Sequence, residues 1–317
     1  PAAVHDVSLS VAPGEMVGLV GESGCGKSLT CRSAIRLLPP AGRVAAGSIR
    51  CQGRDVLAMD GGELRRMRAG EVGMVLQDPF SSLDPVFRID RQIRETLKSS
   101  LGMNRSAARK ETIRLLEEVG IPDPERCARS YPHELSGGLR QRVMIALATI
   151  GEPALLIADE PTTALDVTTQ AQILDLLRRL RDERGVAVLL VSHDFGVIAE
   201  TCDRVVVMYG GYVVETGPVS ATYERPQHPY TRALLASVPT IESAGEHRRR
   251  EAIPGRPPEL GQVLPGCVFA PRCPYAKEEC LEIDMSLEPA SPDQRSACPF
   301  VRAGDKGEAL VTTERGA

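Results

Sequence analysis

The sequence predicts an α/β fold with a parallel sheet, an inserted α-helical subdomain and a small C-terminal extension. Short apolar runs, each followed by a stretch of helical spacing, occur in residues 1–88 and again in 151–217. Such alternation favours parallel strands covered on both faces. Between 89 and 150, Leu, Ile and Val recur three and four residues apart without a clear strand, so this part is predicted to be helical.

Composition narrows the class of protein. The 317 residues are 42% hydrophobic and 25% charged, which is ordinary for a globular protein of one large or two smaller domains. The net charge of −4 gives no support for nucleic acid as a partner. No apolar run reaches the roughly 18–20 residues of a membrane-spanning helix, and no secretory signal is visible at the start.

The first chemical motif is a glycine-rich turn between an apolar run and a stretch of helical spacing. It comprises Gly21, Glu22, Ser23, Gly24, Cys25, Gly26, Lys27, Ser28 and Leu29. Glycines let backbone N–H groups approach phosphates, and the dipole of the following helix favours the same anion. Lys27 is expected to reach the β- and γ-phosphates, and Ser28 to bind Mg²⁺. The turn therefore predicts a P-loop NTPase core that binds a nucleoside triphosphate.

Cys25 within this turn has two interpretations. A thiol at a helix N-terminus can have a lowered pKa and react easily. The simpler interpretation is a small side chain that the turn tolerates.

Polar side chains also follow three other apolar runs of the predicted core. Asp159 and Glu160 end one run, while Gln77 and His193 end two others. Because the carboxyl ends of parallel strands meet at one edge of a sheet, these side chains are expected near the glycine-rich turn. Asp159 suits Mg²⁺, and Glu160 can act as the general base that polarises an attacking water.

A second glycine motif, Ser136-Gly137-Gly138, begins a helical stretch. Ser136 as the N-cap and the free N–H groups of the two glycines would form an anion site. An ordinary capped helix would also explain Ser-Gly-Gly. It would not explain the position of Asp159, only 23 residues beyond Ser136.

In this order the motifs resemble those of the ATP-binding cassette family. The resemblance implies that Gln77 contacts Mg²⁺ or the attacking water, that His193 contacts the γ-phosphate, and that Asp166 belongs to a loop at the nucleotide. It also implies that Ser136 and the glycines after it cover ATP held by a second cassette. None of the twenty residues before Gly21 is Phe, Tyr or Trp, so the adenine-stacking residue is expected upstream of this chain.

Longer stretches narrow the resemblance to the ATPases of dipeptide/oligopeptide importers. They are residues 77–85, 131–134, 157–167, 228–235 and 266–274. The version at 157–167 is more similar to the D-type subunit than to the F-type one. The resemblance implies a heterodimer with a second, non-identical cassette at the cytoplasmic face of the membrane, under two permease subunits and served by an extracytoplasmic peptide-binding protein. A soluble clamp ATPase and an iron–sulfur regulator are the alternative interpretations.

The C-terminal extension, residues 218–302, contains a set of four cysteines. These are Cys267, Cys273, Cys280 and Cys298, with gaps of five, six and seventeen residues. Four thiolates suit a [4Fe–4S] cluster or a structural Zn²⁺. The paired Cys-x-x-Cys arrangement of zinc sites is missing, and the resemblance to peptide importers favours the cluster; reduced free thiols are the third possibility. The extension is therefore predicted to bind metal, and 303–317 to form a flexible tail.

Overall fold

The computed structural model describes residues 2–77, 82–237 and 253–298. The predicted tail at 303–317 and the 78–81 part of the importer resemblance lie outside these residues. The strands are β1 Met16–Val20, β2 Arg50–Cys51, β3 Arg54–Asp55, β4 Val72–Val75, β5 Leu155–Asp159, β6 Ala187–Ser192, β7 Arg204–Tyr209, β8 Tyr212–Pro218, β9 Glu288–Pro289 and β10 Arg295–Ser296.

Along the chain, most of the helices follow one strand of the main sheet and precede another. They are α1 Lys27–Ala34, α2 Gly61–Gly70, α3 Ile89–Leu101, α4 Arg105–Glu118, α5 Pro124–Arg129, α6 Gly137–Ala148, α7 Val167–Arg184, α8 Phe195–Thr201, α9 Val219–Glu224 and α10 Pro229–Ala236. Within the described residues, none of these is long and apolar enough to cross a bilayer.

The main sheet has the strand order β4-β5-β6-β1-β7-β8-β10-β9. Strands β4, β5, β6, β1 and β7 run parallel to one another, as predicted. Strands β8, β10 and β9 pair antiparallel with their neighbours. The prediction of a parallel sheet is therefore wrong for one end of it. The cause is the two-residue turn Gly210-Gly211, with φ values of 55° and 87°, which joins β7 to β8 as a tight hairpin.

The centre of the sheet is covered on both faces. Every residue of β1 and of β6 is buried, as expected for strands between two helical layers. Met16 and Val20 of β1 pack into one apolar cluster, whereas Val17 and Leu19 pack into another. The sheet therefore holds the loops at its strand ends on a rigid base.

Between β4 and β5 the described chain forms only helical elements. Its helix α3 buries Ile89, Ile93 and Leu97, which recur every four residues and so share one face. Because β4 and β5 pair with each other, the helical segment leaves and re-enters the sheet at neighbouring strands. Its last helix, α6, packs against β4 and α7.

The C-terminal extension is joined to the sheet and to the end of β7. Strand β10 pairs with β8, and three buried aromatic rings meet nearby. The ring centroids of Tyr209 and Tyr230 are 4.6 Å apart, and Phe269 lies 5.2 Å from Tyr209 and 5.4 Å from Tyr230. The extension is thus packed against the core at the strand that lies beside β1.

Candidate active site

The glycine-rich turn connects β1 to α1 at the carboxyl end of the sheet. Gly26 is the N-cap of α1 and has φ 103°, a backbone conformation that favours glycine. A Cβ atom on Gly21 would lie 2.1 Å from the carbonyl oxygen of Met208 in β7. Gly26 therefore needs glycine for its conformation, and Gly21 needs it for the close approach of two strands.

Lys27 lies over the turn and is only 5% exposed. Its Nζ donates to the carbonyl oxygen of Gly21 at 2.7 Å and to that of Glu22 at 3.1 Å. Ser23 and Gly24 of the same turn are exposed, and Leu29 lies in the first turn of α1. The ammonium group is thus held on two carbonyl oxygens of the turn.

The structure favours the simpler interpretation of Cys25, a small side chain that the turn tolerates. Its side chain is 4% exposed, and burial raises the pKa of the thiol despite the opposing effect of Lys27. A buried thiol with a raised pKa is poorly reactive.

Ser28 and Asp159 form a direct pair, although they are 131 positions apart in the chain. The Ser28 hydroxyl donates to Oδ1 of Asp159 at 3.0 Å, and Asp159 is 1% exposed. Oδ2 of Asp159 is buried without a hydrogen-bond partner among the described residues. Burial raises the pKa of Asp159; the bond from Ser28 opposes this and the charge of Glu160 adds to it. A buried carboxylate oxygen without a partner beside a hydroxyl fits a hard divalent cation such as Mg²⁺.

Glu160 is the point on which three polar side chains converge. Its Oε2 accepts hydrogen bonds from Nε2 of Gln77 and from the hydroxyl of Thr163, both at 3.0 Å. Nδ1 of His193 lies 3.5 Å from the same oxygen. The Glu160 side chain is 9% exposed and that of His193 is 55% exposed, so a largely enclosed carboxylate lies beside an exposed histidine.

Thr163 is the residue of this cluster that the sequence analysis missed. Its hydroxyl donates to the side-chain carboxylate of Glu160, three residues earlier in the chain. Glu160 has φ 49°, a strained conformation for a non-glycine residue that is common at functional sites. The three-residue spacing between Glu160 and Thr163 is the sequence feature from which their hydrogen bond could be predicted.

The second glycine motif forms a separate group with the loop before α7. Ser136 is the N-cap of α6, and its Oγ accepts from the N–H of Leu139 at 3.3 Å. A Cβ atom on Gly137 would lie 3.2 Å from Leu165, and one on Gly138 would lie 2.5 Å from Cγ2 of Thr169. The two glycines thus let the start of α6 approach the start of α7.

Asp166 is used to cap α7. Its Oδ1 accepts from the N–H of Thr169 at 2.9 Å, and its Oδ2 accepts from the Thr169 hydroxyl at 2.7 Å. These bonds lower the pKa of Asp166. Thr169 therefore contacts both Asp166 and the space beside Gly138.

The prediction of a metal-binding extension is not supported. All four cysteines lie in the described part of the chain, and no group of three or more Cys, His, Asp or Glu residues there is arranged to hold a metal ion. Cys267 donates its N–H to the carbonyl oxygen of Cys280 at 2.6 Å, and burial raises the pKa of the Cys267 and Cys273 thiols. The structure therefore gives no support to a [4Fe–4S] cluster or Zn²⁺ on these cysteines within the described residues.

Comparison with known proteins identifies the family of this chain. The family model described as "ABC transporter" matches residues 4–163. A Brucella ovis protein named as a peptide import ATP-binding protein is 51% identical over 288 residues, which are 88% of this chain and 85% of that protein. This chain is a member of the ABC transporter ATPases.

Other matches extend over the rest of this ABC transporter ATPase. The model described as "Oligopeptide/dipeptide transporter, C-terminal region" matches residues 214–280. A Brucella abortus protein with the same kind of name is 48% identical over 299 residues, 94% of this chain and 89% of that protein. These matches confirm the predicted family and the ATPase class.

Solved structures agree on the fold. A dimeric ATP-binding cassette with bound ADP and phosphate, in a post-hydrolysis state, aligns with a TM-score of 0.61 at 29% identity, covering 68% of this chain and 90% of that one. A Clostridium perfringens cassette from an ABC transporter complex aligns with a TM-score of 0.61 at 26% identity, covering 70% and 84%. The mixed-sheet P-loop ATPase fold is therefore shared.

Proposed function

We propose that this ABC transporter ATPase is the D-type motor subunit of a peptide importer, coupling ATP binding and hydrolysis to peptide uptake across the cytoplasmic membrane. The observation that carries the hydrolytic part is the convergence of Gln77, Thr163 and His193 on Glu160, next to the Ser28–Asp159 pair. The matches to peptide import proteins and to a peptide transporter C-terminal region support the importer class.

The chain's own residues divide the work of hydrolysis between them. Lys27 moves from the loop carbonyls to the β- and γ-phosphates, and the free backbone N–H groups of the turn surround the phosphates. Glu160 accepts the proton of the attacking water, while His193 donates to a γ-phosphate oxygen. Ser28, Asp159 and Gln77 would hold Mg²⁺, which supplies positive charge to the β- and γ-phosphate oxygens.

Ser136, Gly137 and Gly138 bind the ATP of a second cassette. The helix dipole of α6 and the N–H groups at its start favour an anion that approaches from outside this subunit. The partner is a non-identical cassette, so the two ATP sites need not be equal. Arginine at position 136 is expected to block closure on the partner's ATP while this chain's own Lys27 still binds nucleotide. Equal ATP turnover by the assembled pair carrying Ser136→Arg would contradict this role.

A permease subunit docks in a groove beside Gln77. The groove has a volume of about 480 Å³ and lies between β4, α3 and the C-terminal ends of α2 and α6. Its lining is largely apolar and includes Ile35, Leu37, Met74, Leu76, Leu147 and Ile150. An amphipathic helix of a permease subunit fits an apolar groove of this kind. Since Leu76 precedes Gln77, movement of this helix reaches the residue that contacts Glu160.

Matched leucines on the surface test the docking groove. Leu37 in the groove is 45% exposed, and Leu101 outside it is 44% exposed. Leu37→Asp is expected to reduce co-purification with the permease subunits, whereas Leu101→Asp leaves it unchanged. Equal capture of both variants would contradict this docking site. Failure of the wild-type chain to capture permeases would favour a soluble ATPase instead.

Peptide uptake is the direct test of the importer assignment. Cells that lack this chain are given the wild-type gene or the Lys27→Ala variant, together with the other subunits and the extracytoplasmic peptide-binding protein. Uptake of labelled di- and oligopeptides is expected to return with the wild type alone. Peptide uptake that does not depend on this chain would contradict the assignment.

A further inference from the structure

The phosphate-binding turn is attached to the C-terminal extension through one carboxylate. Nη1 of Arg272 donates to Oε2 of Glu22 at 2.6 Å, and its Nη2 donates to Oε1 at 3.1 Å. The two residues are 250 positions apart, and the Arg272 side chain is only 5% exposed. A two-pronged pair of this kind fixes the direction of the carboxylate as well as its distance.

The other donors of Arg272 hold its guanidinium in place. Nε donates to the carbonyl oxygen of Pro254 at 2.8 Å, and Nη2 donates to that of Ile253 at 3.2 Å. Nη1 also donates to the hydroxyl of Tyr209 at 3.1 Å. With the two bonds to Glu22, these use all five N–H groups of an arginine. The guanidinium is therefore a rigid connection between the extension and the turn.

The backbone of Glu22 is held by the same extension. The N–H of Glu22 donates to the hydroxyl of Tyr230 at 2.8 Å. Tyr230 is fully buried against Tyr209 and Phe269, so its hydroxyl has little freedom to move. The carbonyl oxygen of Glu22 accepts from Nζ of Lys27 at 3.1 Å. Glu22 thus connects the extension with the lysine expected to bind phosphate.

We propose that Arg272 is a positioning residue for the phosphate-binding turn, acting through Glu22 to set the affinity for ATP. This inference rests on the proposed role of the turn and of Lys27. Without Arg272, the Glu22 carboxylate loses its fixed direction, and the carbonyl oxygens under Lys27 no longer hold one arrangement. Part of the free energy of ATP binding is then used to order the turn. By linkage, ATP should stabilise the attachment of the extension by the same amount.

The test is equilibrium binding of ATP with Mg²⁺ to the full chain. Arg272→Met removes the charge at similar length and is expected to raise the Kd for ATP about tenfold. Glu22→Gln is expected to raise it in the same direction, and the double variant should resemble Arg272→Met alone. Arg272→Lys keeps the charge without the fork, so its Kd should be intermediate. Arg232→Met is the control, because Arg232 bonds to Pro226 within the extension and should leave Kd unchanged.

The possible results distinguish a failure of the positioning role of Arg272 from a failure of the proposed role of the turn. A wild-type Kd in Arg272→Met, or effects of the two single variants that multiply in the double variant, would overturn the positioning role. If the wild-type chain itself does not bind ATP, the proposed role of the turn fails instead. Thermal unfolding without nucleotide is measured for each variant. If Arg272→Met does not fold, Arg272→Lys and Glu22→Gln decide, and wild-type Kd values in both would overturn the inference.

Discussion

The side-chain amide nitrogen of Gln77 lies 3.0 Å from Oε2 of Glu160, although the two residues are 83 positions apart. The hydroxyl of Thr163, three residues after Glu160, donates to the same oxygen, also at 3.0 Å. Two donors on one oxygen fix the orientation of the carboxylate. The orientation of Glu160 therefore depends on two side chains, one of them beside the proposed permease groove.

Removal of the Thr163 hydroxyl should slow hydrolysis without weakening ATP binding. Thr163→Val keeps the shape of the side chain and removes one donor to Glu160, so kcat is expected to fall about tenfold. Thr162→Val next to it is the control. Steady-state ATPase kinetics measure kcat and KM for both variants. A lowered kcat in the control, or an unchanged kcat in Thr163→Val, would contradict the orienting role.

Asp159 is expected to lower the stability of the nucleotide-free chain and to be required for the binding of Mg²⁺ with ATP. Burial raises the pKa of Asp159, which means that its ionised form costs stability when no cation is bound. Asp159→Asn is therefore expected to raise the Tm of the nucleotide-free chain and to abolish the further rise that Mg²⁺ with ATP produces in the wild type. Melting curves with and without Mg²⁺ and ATP test both parts. An Asn variant that ATP with Mg²⁺ stabilises as strongly as it does the wild type would show that Asp159 does not hold the cation.

Gly138 should accept a side chain only when Thr169 is made smaller. A Cβ atom on Gly138 would lie 2.5 Å from Cγ2 of Thr169, so Gly138→Ala should destabilise the fold by about 1–3 kcal/mol. Thr169→Ser removes Cγ2 and keeps the hydroxyl that bonds to Asp166. The double variant should recover most of the lost stability in denaturant unfolding. Purely additive losses would mean that the contact is not the cause.

Glu215 should make the stability of the chain depend on pH near neutrality. Its buried carboxylate accepts from the N–H groups of Gln227 and His228, both at 2.8 Å, and burial raises its pKa from 4.5 to about 7. Between pH 4.5 and about 7, Glu215 therefore keeps a proton in the folded chain that it has lost in the unfolded chain. The contribution of Glu215 to stability is therefore largest below pH 4.5 and decreases as the pH rises to about 7.

Comparison with Glu215→Gln isolates this effect. The Tm difference, wild type minus variant, is expected to shrink as the pH is raised from 4.5 to about 7 and to stay constant above that. A difference that does not change over this interval would show that Glu215 is ionised in the folded chain throughout.

The parts of the site that the sequence predicts are those with local signals. The turn at Gly21, the Asp159–Glu160 pair and the cap at Ser136 each lie at the junction of one strand or turn with one helix, where residue type and backbone geometry are directly linked. The antiparallel end of the sheet also had a local signal, Gly210-Gly211 between two apolar runs.

The remainder depends on contacts between distant parts of the chain. The bond from Arg272 to Glu22 joins residues 250 positions apart, and nothing near either residue specifies the other. The predicted metal site on the four cysteines is not supported by the structure of the described residues, and the reason is related. Cysteine spacing gives the number of possible ligands, but the burial of Cys267 and Cys273 follows from the packing of the extension.

The role proposed for Glu160 is that of general base at the ATP site formed by this chain. It is tested most directly by ATP binding and single-site ATP turnover in the Glu160→Gln variant, assembled with its partner cassette. The variant is expected to bind ATP with an unchanged Kd and to hydrolyse it at this site at least about a hundredfold more slowly than the wild type. Undiminished turnover at this site, with ATP bound, would contradict the role of Glu160.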